Sequence, residues 1–331
     1  MERHRPHPGA WLLLVLGLGL AAFAQAHERE RLVIFGDSLS DPGNAFVLTM
    51  NVSLPPFELI PSAPYALGGM HFTNGKTWAE QLAERLDAER SARPALLKPL
   101  QFTNYAVGGA RARGAGPFDL GTQVDLFLHH FNGQAPGDAL YVLAFGGNDV
   151  RDALAALATD PSGATSSAIL QSALGAMQAN VARLAAAGAR EFLVLNAPDL
   201  GLVPAVRLLG PGAQGAARWL AATYNGYLSA LLDGAQGVGL AVARVDLFLL
   251  LNEVAAAPAA FGFTNATDPC IVPGVTAQPY CQRPNQYLFW DGIHPTRAGH
   301  RVMAERAATA LGLAARPLDA SDDHPLPRPD F

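Results

Sequence analysis

The 331-residue sequence predicts an α/β fold, a three-layer α/β/α domain built on a five-stranded parallel sheet. Three observations carry that expectation. Short apolar runs rich in β-favouring residues alternate with longer stretches of helical periodicity, the pattern of a parallel sheet covered on both faces. Three of the runs end in Gly-containing polar turns, at Gly36-Asp37-Ser38, Gly108-Gly109-Ala110 and Gly146-Gly147-Asn148. Hydrophobic residues make up 50% of the chain and charged ones 15%, enough to bury a large core in one domain of the larger kind.

In chain order, Arg3, His4 and Arg5 precede an apolar core at residues 11–24 and the small-residue run Ala24-Gln25-Ala26. These are the three parts of a secretory signal peptide, with cleavage expected after Ala26. The apolar core falls short of the roughly 20 residues that a membrane span needs. Leu32-Val33-Ile34-Phe35 reads as the first buried strand, cut off by Gly36-Asp37-Ser38. Residues 48–69 carry Pro55, Pro56, Pro61 and Pro64 and read as a long surface loop near the active end of that strand. Trp78, Leu82 and Leu86 recur every four residues, which predicts an amphipathic helix over 76–90.

Strands are then expected at 102–107, 139–145, 191–195 and 238–245, with helices at 122–131, 166–187 and 213–232 between them. Residues 247–284 read as irregular and hold both cysteines, Cys270 and Cys281. In an exported protein these two are expected to pair, closing a small loop worth about 2–3 kcal/mol on the chain-entropy model. A closing helix begins at Thr296 or Arg297 and runs to about Leu311. One main domain is therefore expected over 27–315, with the Pro- and Asp-rich residues 316–331 expected as a flexible tail.

The strand ends of an open parallel sheet line one crevice, where such sheets place their ligands. Ser38 after the first strand, the Gly108-Gly109 turn after the second and Asn148 after the third are thereby brought to one edge. Asp291 and His294, three residues apart ahead of the last helix, supply a carboxylate and an imidazole. Gly-Asp-Ser alone is no more than a turn with a helix N-cap. Together these parts meet the needs of acyl transfer: Ser38 as nucleophile, His294 as general base, and Asp291 to set the imidazole tautomer. The backbone N–H of Ser38, an N–H of the Gly108-Gly109 turn and the Asn148 amide supply oxyanion donors.

The same residues resemble the GDSL esterase and lipase family, the SGNH hydrolases, and in particular their secreted bacterial-type members. Gly36-Asp37-Ser38-Leu39-Ser40-Asp41, Asn104 to Ala110, Gly146-Gly147-Asn148-Asp149 and Asp291-Gly292-Ile293-His294 match its four blocks in order. The resemblance implies a flavodoxin-like five-stranded sheet, Ser38, Asp291 and His294 as catalytic residues, and Ser38, Gly109 and Asn148 as the oxyanion hole. The doubled glycine leaves Gly108 open as the donor instead of Gly109. Asp37, Asp41, Asn44 and Asp149 read as structural.

A net charge of -5 gives no basic footprint for nucleic acid. No metal quartet can be assembled, no cofactor is implied, and G-x-S-x-G is absent. Gly69 to Thr77 ends like a phosphate-binding loop but has five residues between its glycines where four are required. Apart from His294 the histidines have no supporting partners, and those on helices, His129, His130 and His300, are expected to be partly exposed. Pocket walls are expected from 48–71 and 247–290, where Phe57, Leu59, Ile60, Tyr65, Phe261, Phe263, Tyr287 and Phe289 favour an apolar acyl group.

The expected protein is a secreted or periplasmic carboxylic ester hydrolase taking short-to-medium acyl esters or lipids, with no membrane anchor. The alternatives are a phospholipase or lipid acyltransferase of the same family, and a catalytically silent secreted glycan-binding module. Natural substrate and oligomeric state stay open at this level.

Overall fold

The structure, a computed structural model, describes residues 31–55, 57–114 and 116–316 besides Met1. Apart from Met1 the expected signal peptide lies outside the described residues, as does all but the first residue of the expected tail.

Four strands form one parallel sheet in the order β1 (Arg31–Gly36), β2 (Ala139–Ala144), β3 (Glu191–Leu195) and β4 (Ala241–Val245). Ile34 lies opposite Val142, Val142 opposite Leu193, and Leu193 opposite Ala243. All six residues of β2 are buried, so both faces of the sheet centre are covered. On the way round lie α1 (Asn44–Thr49), α2 (Trp78–Arg85), α3 (Leu120–His130), α4 (Gly147–Ala156), α5 (Ala164–Ala187), α6 (Pro204–Arg207), α7 (Pro211–Gly237), α8 (Leu247–Ala256) and α9 (Arg297–Ala310). Helix α2 packs on α9, while α3, α4, α5 and α7 pack on one another as a second contiguous layer. A separate pair, β5 (Asn265–Pro269) and β6 (Tyr287–Phe289), sits ahead of α9.

The expected strand at 102–107 runs beside β1 without forming a regular ladder. Ile34 N–H donates to Thr103 O at 2.9 Å, Tyr105 N–H to Ile34 O at 2.7 Å and Val107 N–H to Gly36 O at 3.2 Å. Two side chains displace the remaining rungs: the Gln123 amide takes the Gly36 N–H at 3.0 Å, and the Thr103 hydroxyl takes the Leu32 carbonyl. The segment therefore keeps the edge position of a fifth strand while only Ile34 and Asn104 form a bridge. The sheet has four regular strands where five were expected.

Other boundaries move for local reasons. Helix α2 starts two residues late because Thr77 and Glu80 form a capping box, and it stops early, with Asp87 left-handed at φ 52°. Helix α7 runs on to Gly237, and the chain turns at Gly239, φ +92°, so β4 starts at Ala241 rather than 238. Residues 247–284 are not wholly irregular, since α8 opens them behind an Asp246 side chain that accepts the Leu249 N–H. Cys270 and Cys281 are joined in a disulfide.

Candidate active site

Strand β1 delivers Ser38 to the sheet edge through a turn held by Asp37, whose Oδ1 accepts the Leu39 N–H at 3.0 Å. Burial pushes the Asp37 carboxyl up to about 6, partly offset by that N–H and by the charges of His294 and Arg151. Asp41 ties the next two segments together. Its carboxylate accepts from Gly43 N at 2.7 Å, Asn44 N at 2.6 Å, Ala45 N at 3.1 Å and Gly108 N at 2.8 Å, joining the start of α1 to the Gly108-Gly109 turn. Burial raises this carboxyl to about 6 as well, against those four donors.

With Gly108 N–H committed to Asp41, Gly109 N–H is the donor of that turn with no acceptor among the described residues. Gly109 sits at φ +82°, a conformation that glycine adopts without steric cost. Gly146, at φ +119°, turns the chain from β2 into α4 and lies against the Tyr224 ring, 2.5 Å from where a Cβ would be. Asn148 thereby falls on the first turn of α4, donating to Ala110 O at 2.9 Å; it meets Asp37 Oδ2 only at 3.4 Å, near the limit of a hydrogen bond.

The imidazole of His294 bridges the other two candidates. Its Nε2 lies 2.8 Å from Ser38 Oγ and its Nδ1 lies 2.7 Å from Asp291 Oδ2. Asp291 Oδ1 accepts the N–H groups of Ile293 at 2.8 Å and His294 at 2.7 Å, an Asx-type turn that fixes the carboxylate to its own loop. Asp291 is fully buried, and the Phe72 ring lies 5.4 Å from the imidazole centroid. Ser38, Asp291, His294, Gly109 and Asn148 are thus gathered at one edge, with the geometry a hydroxyl, a base and a base-orienting carboxylate require.

An apolar cleft enclosing about 810 Å³, open mouth included, runs from Ser38, Asn148 and His294 between α8 and α9. Leu247, Leu250, Leu251 and Val254 form one wall, with Val302 and Met303 on the other. The expected stretch 247–290 supplies Leu247, Leu250, Leu251, Val254, Leu288 and Phe289, but the other expected wall needs correcting. Nothing from 48–71 lines this cleft, and of the eight apolar residues singled out there only Phe289 does. Phe57 is exposed, Phe263 is buried in the main core, and Tyr65 instead reaches Asp291. The wall of α8 had a readable signal: Leu247, Leu250, Leu251 and Val254 recur at helical spacing behind Asp246.

The histidine expectations need correcting too. His300 is buried, accepts Trp78 N–H at 3.2 Å, and is held down to about 3 by burial and by the neighbouring His294 and His71. His71 has partners in Gly68 O at 2.6 Å and Glu80, and His130 meets Tyr105 OH at 3.0 Å.

The profile of the GDSL-like Lipase/Acylhydrolase family matches residues 32–307. Thermolabile hemolysin of Vibrio parahaemolyticus is 26% identical over 86% of this chain and 64% of its own, so the chain spans less than two thirds of that relative. A GDSL esterase/lipase of Arabidopsis thaliana is 27% identical over 90% of this chain and 91% of its own. Among solved structures, an acetylxylan esterase from Geobacillus stearothermophilus covers 86% of this chain and 95% of its own at 15% identity, with a TM-score of 0.47.

Proposed function

This chain belongs to the GDSL-like Lipase/Acylhydrolase family, and on that premise we propose that it cleaves carboxylic esters through an acyl-enzyme on Ser38. The observation that carries the reading is the unbroken line from Ser38 Oγ through His294, 2.8 Å at Nε2 and 2.7 Å at Nδ1, to a buried Asp291.

Ser38 Oγ attacks the ester carbonyl as His294 Nε2 takes its proton. Asp291 accepts the Nδ1–H and stabilises the imidazolium. Negative charge gathers on the carbonyl oxygen, where Ser38 N–H, Gly109 N–H and the second amide hydrogen of Asn148 receive it. Such a donor is typically worth about 3–4 kcal/mol. The imidazolium returns its proton to the departing alcohol, and the acyl group stays on Ser38. Water, deprotonated by the same nitrogen, then attacks the acyl-enzyme and frees the carboxylic acid and the Ser38 hydroxyl.

The cleft between α8 and α9 supports an apolar acyl group of short-to-medium length, because beyond the polar groups around Ser38 its walls are mostly apolar. The basic, apolar and small-residue parts at 1–26 support export with cleavage after Ala26, to the periplasm or the medium, leaving a domain over 27–315. The Cys270–Cys281 disulfide fits an oxidising destination. Among the described residues no helix is long and apolar enough to cross a membrane.

The test is turnover of p-nitrophenyl esters from acetate to palmitate by the protein and its Ser38→Ala variant. Serine-dependent hydrolysis is expected, with Ser38→Ala retaining the fold and losing at least about a thousandfold in kcat. Absence of turnover on every chain length, together with no labelling by a fluorophosphonate, would point to a silent binding module instead.

A further inference from the structure

We propose that Tyr65 is a positioning residue for the Asp291–His294 pair, an inference that rests on the hydrolase reading and deepens it. The Tyr65 hydroxyl donates to Asp291 Oδ2 at 3.2 Å, across 226 positions of sequence. That oxygen is also the one facing His294 Nδ1, whereas Oδ1 is occupied by the N–H groups of Ile293 and His294. Asp291 is fully buried, so among the described residues these four donors take the place of water around it.

The surroundings of Tyr65 set the phenol rather than follow from it. Its ring stands edge-on to Trp290 at 5.9 Å, and Trp290 is stacked on Tyr280 at 6.5 Å. Tyr65, Cys270, Ile271 and Trp290 form a small buried cluster of their own, closed on its far side by the Cys270–Cys281 disulfide. Tyr65 N–H donates to His71 O at 2.9 Å, and the preceding carbonyl, of Pro64, accepts Ser53 N–H at 2.8 Å. A phenylalanine would fill this space equally well, and the only acceptor within reach of the hydroxyl among the described residues is Asp291. Burial, reinforced by the Asp291 charge, raises the phenol far above its ordinary value, so it remains a donor at every working pH.

Sharing Oδ2 has two effects. It fixes the plane of the carboxylate against which the imidazole is oriented, and it tempers the pull of that oxygen on the imidazolium. Without the phenol, Oδ2 faces His294 alone and holds the imidazolium more strongly, so the free base is recovered only at higher pH. The other titratable groups facing this pair are Asp37 beside Ser38 and His300 on α9 toward His294, with Glu58 toward Tyr65; none is altered by removing the hydroxyl.

The experiment compares the full chain with Tyr65→Phe. On a short-chain p-nitrophenyl ester, kcat at pH 7 is expected to fall about tenfold with KM within about twofold, since a hydrogen bond to a charged group has been lost. The acid limb of kcat/KM should move to higher pH, making the loss greater at pH 6 than at pH 8. The low-field proton resonance of the Asp291–His294 hydrogen bond should shift, a readout that does not depend on turnover. An unmoved resonance, or a kcat and acid limb equal to those of the parent, would overturn the proposal. Tyr65→Leu, with its unfolding midpoint, separates the packing share of the ring. Failure of the hydrolase reading looks different: the parent itself would show no Ser38-dependent turnover, while the resonance would still decide the role of Tyr65.

Discussion

A carboxylate shut away from water resists ionisation, and Asp37, Asp41 and Asp149 are three such groups placed around Ser38 and Asn148. Burial raises each to about 6, with backbone N–H donors offsetting part of the cost: Leu39 for Asp37, Gly43 first among four for Asp41, and Ala112 and Arg113 for Asp149. Below about pH 4 these groups are neutral in both folded and unfolded chains; between about 4 and 6 only the unfolded chain ionises them. Their contribution to stability is therefore full at low pH, declines as pH rises to about 6, and is constant above it. Asp37→Asn keeps an acceptor for Leu39 N–H and removes one share of that decline. Urea unfolding at pH 4.5 and pH 7 should show a smaller loss in the variant than in the parent, by up to roughly 2 kcal/mol. Ser38, Asn148, Asp291 and His294 were legible at this scale because each adjoins recognisable local structure, the first two after a strand and the last two ahead of a helix. Tyr65 was not, because nothing near it in sequence carries Asp291.

At the scale of elements, the acyl cleft belongs to two helices brought together from positions 247–256 and 297–310. Leu251 lines the cleft and is only partly buried, so a larger side chain there can occupy the slot without overfilling the main core. Leu251→Trp should shorten the chain-length optimum on the p-nitrophenyl series and cost long-chain esters at least about tenfold in kcat/KM, leaving acetate within about threefold. An unchanged optimum would place the acyl chain elsewhere. The edge segment at 102–107 teaches a related lesson. Its composition is that of a strand and its position is that of a strand, yet the Gln123 amide and the Thr103 hydroxyl occupy the rungs that a regular ladder needs. Gln123 arrives from outside the six-residue window, and Thr103 lies inside it but bonds a carbonyl 71 positions away, so neither commitment can be seen in the window alone.

At the scale of the molecule, the sheet, the site and the cleft are all built from residues between 31 and 316. The last of these is attached to the body, with Arg316 N–H donating to Glu305 at 3.0 Å and Arg85 joining Glu305 to α2. A chain from His27 to Arg316 is therefore expected to match the chain from His27 to Phe331 in Ser38-dependent activity and in unfolding midpoint, measured by ester hydrolysis and thermal denaturation. A fall in either would assign 317–331 a part in the fold or the site.

Local chemistry by itself determined the fold class and the family and put forward the candidate constellation, because strand ends, turns and the Asp291-to-His294 spacing are short-range features that a sequence displays directly. Only the tertiary structure decided three matters. It committed Gly108 to Asp41 and left Gly109 without an acceptor among the described residues, it lined the cleft beside Ser38 with α8 and α9 and not with the Pro-rich loop, and it brought the Tyr65 hydroxyl to Asp291. Each depends on which groups meet across tens to hundreds of residues, and in a buried site the partner that satisfies a polar group or fills a space is chosen by packing, not by proximity along the chain.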